Sequence, residues 1–251
     1  MQHLLRKQII LLAVLLGFAT AAFSQTEEVF QPDHDDLPYY LGMSLGMTNS
    51  FLSFKRNTNF LVPPTGAVNN IKPIQTMYIS LGLSGTLKLT NHILLRANPT
   101  LLISGNRNTF TYTTLPPSDS VASTYAIPSV IIDVPIGFKI QSDRYTAFKH
   151  QDIMRHYLIT GIKFGFDLGA EKAATVNTTS SYPNVLSGND MAYEVGLGTS
   201  FYLRYATISP EVKFSYGLKD LRKTGDPKFP LVSSLDKISS NFIYFTIHIE
   251  N

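Results

Sequence analysis

From Tyr40 onward the chain alternates. Leu41, Met43, Leu45 and Met47 fall on one face of an extended backbone and Gly42, Ser44, Gly46 and Thr48 on the other. That is the period-two signature of a strand with one apolar and one polar side. A second run follows, with Met77, Ile79, Leu81, Leu83, Leu87 and Leu89 against Tyr78, Ser80, Gly82, Ser84, Thr86 and Lys88. Six more segments obey the same rule. Ile93, Leu95, Ala97, Leu101 and Ile103 oppose Arg96, Asn98, Thr100 and Ser104, although Leu94 and Leu102 blur the polar side. Val130, Ile132, Val134, Ile136, Phe138 and Ile140 oppose Asp133, Gly137 and Lys139. Leu158, Ile162, Phe164, Phe166 and Leu168 oppose Tyr157, Gly161, Lys163, Gly165 and Asp167. Tyr193, Val195, Leu197, Phe201 and Leu203 oppose Glu194, Gly196, Gly198, Ser200 and Tyr202. Ile208, Val212, Phe214 and Tyr216 oppose Thr207, Ser209, Glu211, Lys213 and Ser215. Ile243, Phe245, Ile247 and Ile249 oppose Tyr244, Thr246 and His248.

A soluble sandwich also alternates, but its strands average about five or six residues. These runs reach roughly nine to thirteen residues, the length needed to cross a bilayer at a tilt. Their second face is small or polar, as the inside of a narrow barrel requires. Connection lengths agree. Tight corners at Thr90-Asn91 and Arg204-Tyr205 alternate with stretches of roughly twenty residues rich in Asn, Thr, Ser and Pro. The pattern predicts an all-β fold: an eight-stranded antiparallel up-and-down transmembrane β-barrel over residues 40–251, with long outward loops, mostly short periplasmic turns and both termini periplasmic. One turn, residues 142–154, is long and charged; Asp143, Arg144, Lys149, His150 and Asp152 make it a candidate periplasmic docking loop, with an ordinary solvated loop as the simpler reading. Tyr39, Tyr40, Phe51, Phe54, Tyr193, Phe201 and Tyr216 near strand ends are candidates for the interfacial aromatic girdles.

The start of the chain carries Arg6 and Lys7, an apolar run of roughly 14 residues and small residues at Ala22 and Ser24, which predicts a cleaved signal peptide over residues 1–24. The run falls short of the ~20 residues of a spanning helix. Residues 25–39 form a polar periplasmic lead-in. Without Arg6 and Lys7 the formal charge falls from +3 to +1, leaving no basic field for nucleic acid. The chain has no cysteine, so neither disulfides nor thiolate chemistry arise.

The candidate functional residues are the charges on the inward face: Lys88, Arg96, Asp133, Lys139, Lys163, Asp167, Glu194, Glu211, Lys213 and His248. Charges in a narrow lumen must pair, so a structural ion-pair network is the leading expectation, ahead of a proton or ligand path and of catalysis. Asp133 or Lys139 with Lys163 or Asp167, and Glu194 with Lys213, are the expected neighbours. Other signals are slight. Asp33, His34, Asp35 and Asp36 are metal-capable but adjacent, and a solvated linker explains them better. Gly42 and Gly46 have helix-pair spacing, yet on a strand they make lumen space. Gly196-Leu197-Gly198 lacks the strand-turn-helix setting of a dinucleotide site. No catalytic set, cofactor or metal site is expected.

The stretches 133–139 (DVPIGFK), 161–169 (GIKFGFDLG), 194–203 (EVGLGTSFYL) and 209–218 (SPEVKFSYGL) resemble the PorT/SprT family of outer-membrane barrels of Bacteroidota. The resemblance rests on the order and spacing of these stretches and spans nearly the whole mature chain. Asp119-Ser120-Val121 looks like the short O-glycosylation sequon of that phylum. Membership would imply a non-enzymatic accessory component of type IX secretion, needed for export of proteins with C-terminal sorting domains and, in gliding species, for motility. Its partners would be outer-membrane lipid and other secretion-system proteins. A barrel of eight strands holds little more than its own side chains, so it would act by binding or assembly and not as the pore. The alternative is a barrel handling a small solute, proton or lipid through its polar lumen.

Overall fold

The computed structural model describes residues 37–57, 68–114, 123–148, 151–168, 186–222 and 235–251. The signal peptide, the Asp33 to Asp36 segment, the Asp119-Ser120-Val121 site, Lys149 and His150 lie outside them. The described residues form eleven strand segments: β1 (Tyr39–Arg56), β2 (Val68–Pro73), β3 (Thr76–Lys88), β4 (Ile93–Ala97), β5 (Thr100–Thr114), β6 (Ser123–Gln141), β7 (Tyr145–Phe148), β8 (Gln151–Asp167), β9 (Asn189–Tyr202), β10 (Thr207–Gly217) and β11 (Leu235–Glu250).

Their pairing is a ring. β1 pairs with β3, β3 with β4 and β5, those two with β6, then β6 with β8, β8 with β9, β9 with β10 and β10 with β11. β11 returns antiparallel to β1 from Gly42 opposite Glu250 to Arg56 opposite Leu235. Closure removes the sheet edges, which is what makes a sheet tolerable in hydrocarbon. The barrel has eight staves, with β4 and β5 forming one of them.

That stave breaks at Asn98-Pro99, inside what the alternation presents as one strand. Pro99 has no N–H to give to a ladder; its carbonyl still accepts from Leu83 N at 3.0 Å. A milder gap lies between β9 and β10, where Ser209 and Pro210 pair with β11 but not with β9, although the register is the same on either side. On the lumen side the Ser200 and Ser209 hydroxyls meet at 2.8 Å.

Several staves run past the expected ends. β6 begins at Ser123, not near Val130, and pairs with β5 out to Tyr112. β11 begins at Leu235, not near Ile243, and β2 lies in a stretch read as loop. In these extensions the sequence loses its two-residue hydropathy period while the backbone ladder continues; on β11 both parities are buried from Ile238 to Phe242. The charged turn also differs from the expected open loop. β7 folds back on β8 as a short hairpin, with Tyr145 opposite Met154 and Thr146 opposite Asp152.

Burial is inverted relative to a soluble protein. On β1, Leu41, Met43, Leu45 and Met47 are 55–67% exposed, while Ser44 and Thr48 are buried. The same holds around the ring, with Ile79, Leu83, Phe138, Leu197, Phe214 and Phe245 outside and Ser80, Ser84, Lys139, Glu211 and His248 inside. A continuous apolar wall of this size is compatible with hydrocarbon and not with water. Tyr39, Tyr193 and Tyr216 are exposed on the wall as a girdle requires. Tyr40 is not; it is buried and points into the barrel, because it has the inward parity of Ser44 and Thr48.

Candidate functional site

The inward faces bring the charges into contact. Arg96, on β4, donates from Nη2 to Glu250 Oε1 at 2.6 Å, from Nη1 to Glu211 Oε2 at 3.3 Å and from Nε to Thr86 Oγ1 at 3.3 Å. Lys139 Nζ lies 3.9 Å from the other Glu250 oxygen and 3.4 Å from Ser200 Oγ. His248 Nε2 lies 3.6 Å from Glu211, and the Tyr157 hydroxyl donates to the same carboxylate at 3.0 Å. The Tyr157 ring is also the surface on which the cations rest, with Lys139 Nζ 4.2 Å and the Arg96 guanidinium 5.6 Å from its centre, a contact that strengthens away from water.

A second layer lies toward the loop side. Lys163 Nζ is 3.5 Å from Asp133 Oδ2 and donates to Tyr244 Oη at 3.1 Å; the Tyr244 hydroxyl donates to Asp133 at 2.6 Å. Lys213 Nζ pairs with Glu194 Oε2 at 2.9 Å. Lys163 also sits 3.7 Å above the Phe242 ring. Beyond it comes an apolar layer of Tyr78, Leu102, Ile131 and Phe242, all buried.

Of the residues singled out from sequence, Arg96, Asp133, Lys139, Lys163, Glu194, Glu211, Lys213 and His248 meet in these two layers. Lys163 takes Asp133 and Lys213 takes Glu194, as neighbours on the wall. Lys139 reaches Glu250 and not Asp167, the acid proposed for it. Two residues stand apart. Lys88 is half-buried at the turn-side mouth, and Asp167 lines the loop-side end of the lumen beside Asp133 and Phe242. Glu250 is the residue sequence reasoning missed, although the parity of Tyr244, Thr246 and His248 places it inward. Leu94 and Leu102 are likewise inward, so they are layer-forming residues and not noise in the alternation.

The docking-loop candidates split. Asp143 forms an exposed pair with His92 at 2.9 Å, and the Arg144 guanidinium lies 3.8 Å from the Tyr202 ring centre. Asp152 enters the β8 ladder. Tyr145, opposite Met154, hydrogen-bonds His156 through its hydroxyl.

Small residues make the close packing possible. A Cβ on Gly198 would collide with the Tyr157 ring and hydroxyl, and one on Gly165 would come within 3.0 Å of Asp133 Oδ1. Gly137 and Gly161 face each other across β6 and β8, where Cβ atoms would meet backbone. Among the described residues, the hollow lined by Arg96, Glu194, Glu211, Lys213 and His248 measures about 10 Å³, and that lined by Asp133, Asp167, Leu186, Leu221 and Phe242 about 20 Å³. A single water needs roughly that much.

The family model for the outer membrane protein beta-barrel domain matches residues 23–223, in keeping with a closed ring that has an apolar outer wall and a polar interior. The chain belongs to this family. It is therefore an outer-membrane β-barrel protein, and the family match spans seven of the eight staves, lacking β11. Among solved structures this barrel is similar to Ail, the attachment invasion locus protein of Yersinia pestis, at 10% identity and a TM-score of 0.37 over 86% of this chain and 100% of that one. The same Yersinia pestis protein in complex with the heparin analogue sucrose octasulfate gives 10% identity and 0.39 over the same shares. The outer membrane protein OprG from Pseudomonas aeruginosa gives 10% and 0.35 over 84% and 95%. No curated protein sequence matches the barrel.

Proposed function

We propose that this outer-membrane barrel is a non-enzymatic accessory component of type IX secretion. It serves the export of proteins with C-terminal sorting domains, and in a gliding cell motility, by binding or stabilising other components. The short turns and both termini face the periplasm in this reading. The observation that carries the binding role over a conducting one is the packed lumen. Arg96, Tyr157, Lys139, Glu211 and Glu250 fill its cross-section, with hollows of only about 10 and 20 Å³ nearby. A solute path would have to break several buried ion pairs at once. The secretion role itself is supported by the PorT/SprT resemblance of residues 133–139, 161–169, 194–203 and 209–218.

The test is deletion of the gene followed by an assay of sorting-domain cargo on the cell surface. Loss of surface cargo, restored by the intact gene, is the expected result. Normal delivery rejects the secretion role.

A further inference from the structure

We propose that the outer wall of the barrel carries a site for one diacyl phospholipid, which lays an acyl chain in a trough across the staves and sets an ester carbonyl against His156 and Thr199. The choice of a phospholipid rests on the orientation in the reading above, which sets this end of the wall against the periplasmic leaflet.

His156 and Thr199 are polar residues in an apolar wall. Outward side chains follow one another in rows across the ladders. His156 stands opposite Thr199, and at the unchanged β9–β10 register the row runs on through Pro210, Ile247 and Leu45. The next row toward the turns is Met154, Phe201, Ile208, Ile249 and Met43. The next toward the loops is Leu158, Leu197, Val212, Phe245 and Met47. Flanked on both sides by apolar rows, the pair lies within the lipid-facing surface, and His156 is exposed there. A polar side chain in that setting is costly unless it is hydrogen-bonded, and an ionisable one points to function.

The pair belongs to a cluster of three. Thr199 Oγ1 is 2.8 Å from His156 Nδ1, the Tyr145 hydroxyl bonds His156 Nε2, and the Tyr145 and His156 rings lie 5.0 Å apart. Two hydroxyls and a neutral imidazole bring three hydrogens. The two contacts use two of them. Whichever ring nitrogen carries its hydrogen, one hydroxyl is left to donate outside the cluster. An ester carbonyl accepts and has no hydrogen of its own, and in a lipid it lies just below the head group, where a donor one row inside the apolar edge meets it.

From this cluster a trough of about 880 Å³ crosses the wall to Ile79 on β3, lined by Leu197, Val212, Phe245, Ile247 and Met47. Small-molecule sites measure roughly 300–1,000 Å³. Its floor is low because Gly46 and Gly198 contribute backbone alone and Pro210 a compact ring. Apolar along its length and polar at the β8–β9 end, it fits a methylene chain that ends in an ester. A membrane-spanning segment of a partner protein is a poorer match. Its backbone groups are already satisfied internally, and its apolar outer face brings no acceptor for the remaining hydroxyl.

The experiment uses the mature barrel folded in uncharged detergent and a phosphatidylcholine carrying a diazirine on one acyl chain. After irradiation, mass spectrometry of the digest should find the label concentrated near Leu197, Val212, Phe245 and Met47. Labelling should saturate and be displaced by unlabelled phosphatidylcholine. The ether analogue, with a methylene in place of each ester carbonyl, should compete at least about fivefold more weakly, the worth of one hydrogen bond. H156F keeps a ring but loses both nitrogens, and should weaken labelling by a similar factor. V212W fills the trough and should clear it of label. Both substitutions project toward lipid, and gel mobility checks that each variant is folded. Label spread evenly around the wall, equal competition by the ether lipid, or unchanged labelling in both variants would overturn the proposal. So would stronger displacement by lipopolysaccharide than by phosphatidylcholine, or a photoreactive residue at position 212 that captures a protein and no lipid in cells. Localised label with normal cargo delivery keeps this site and rejects the secretion role. Scattered label with lost delivery does the reverse.

Discussion

Arg96 and Glu250 meet at 2.6 Å across the lumen, joining β4 to β11, two staves that share no backbone ladder. Both side chains are almost wholly buried, and Arg96 serves Glu211 as well. Removing the cation therefore takes the shortest ion pair from Glu250 and an ion pair from Glu211, while neutralising Glu250 leaves Arg96 one acid. R96M should destabilise the barrel by about 3–5 kcal/mol and E250Q by less, about 1–3 kcal/mol. The chain has no tryptophan, so urea unfolding in lipid vesicles is best followed by the gel-mobility shift between folded and unfolded forms. Equal midpoints for wild type and R96M would contradict a lumen held by this pair.

Tyr157 owes its position to Gly198, directly opposite on β9. A methyl group at that glycine would displace the ring from beneath Lys139 and Arg96 and pull its hydroxyl from Glu211. G198A should cost about 1–3 kcal/mol by overpacking. In the background of Y157A, where the obstructing ring is gone, the same substitution should cost far less. A double-mutant cycle by the same unfolding assay measures this coupling, and additive effects would show that the two residues do not compete for space.

The fold was legible because a wall between lipid and a packed lumen imposes a strict two-residue period, and Leu41 to Met47 or Met77 to Leu83 display it without interruption. The legible part ended where the physics changed. Past that stretch the ladders run on through residues 105–114, 123–129 and 235–242, whose sequences lack a sustained two-residue hydropathy period, and on β11 both parities are buried from Ile238 to Phe242. Parity could identify which charges point inward, and it would have found Glu250 had it been carried two residues past His248. It could not reveal that Lys139 and Arg96 both converge on Glu250, because that contact crosses the lumen and depends on shear between staves. Neighbouring pairs such as Lys213 with Glu194 were within reach, since they require only adjacent strands.

The extent of the hydrocarbon band can be read from β1. Its outward side chains are apolar through Met47 and become Asn49, Phe51, Ser53 and Lys55. L45R, in the apolar stretch, should destabilise the folded barrel in bilayers by about 2–4 kcal/mol, and S53R by about 0–1 kcal/mol. Equal costs at the two positions would place the membrane boundary elsewhere on the strand. The comparison is clean because both substitutions project from the same face of one strand and neither disturbs the lumen.

Asp220 ties the loop-side end of β10 to β11. Its Oδ1 accepts from Arg222 N and Ile238 N, each at 3.1 Å, and its Oδ2 from Arg222 Nε at 2.7 Å. Partial burial works to raise its pKa, but the hydrogen bonds from Ile238 and Arg222 and the adjacent guanidinium outweigh it and hold the carboxyl below its ordinary value. A carboxyl depressed in the folded state stabilises that state at pH values above its unfolded pKa. The contribution begins to fade below about pH 3.9 and is gone once the pH lies under the folded value. D220N lacks the charge at every pH. Its unfolding midpoint should therefore lie below that of wild type at pH 7, and the gap should close as both proteins are taken to pH 2. The side chain is partly exposed, which keeps the gap small, so it should be largest at low ionic strength. A gap that persists unchanged at pH 2 would mean that Asp220 acts through its shape and not its charge.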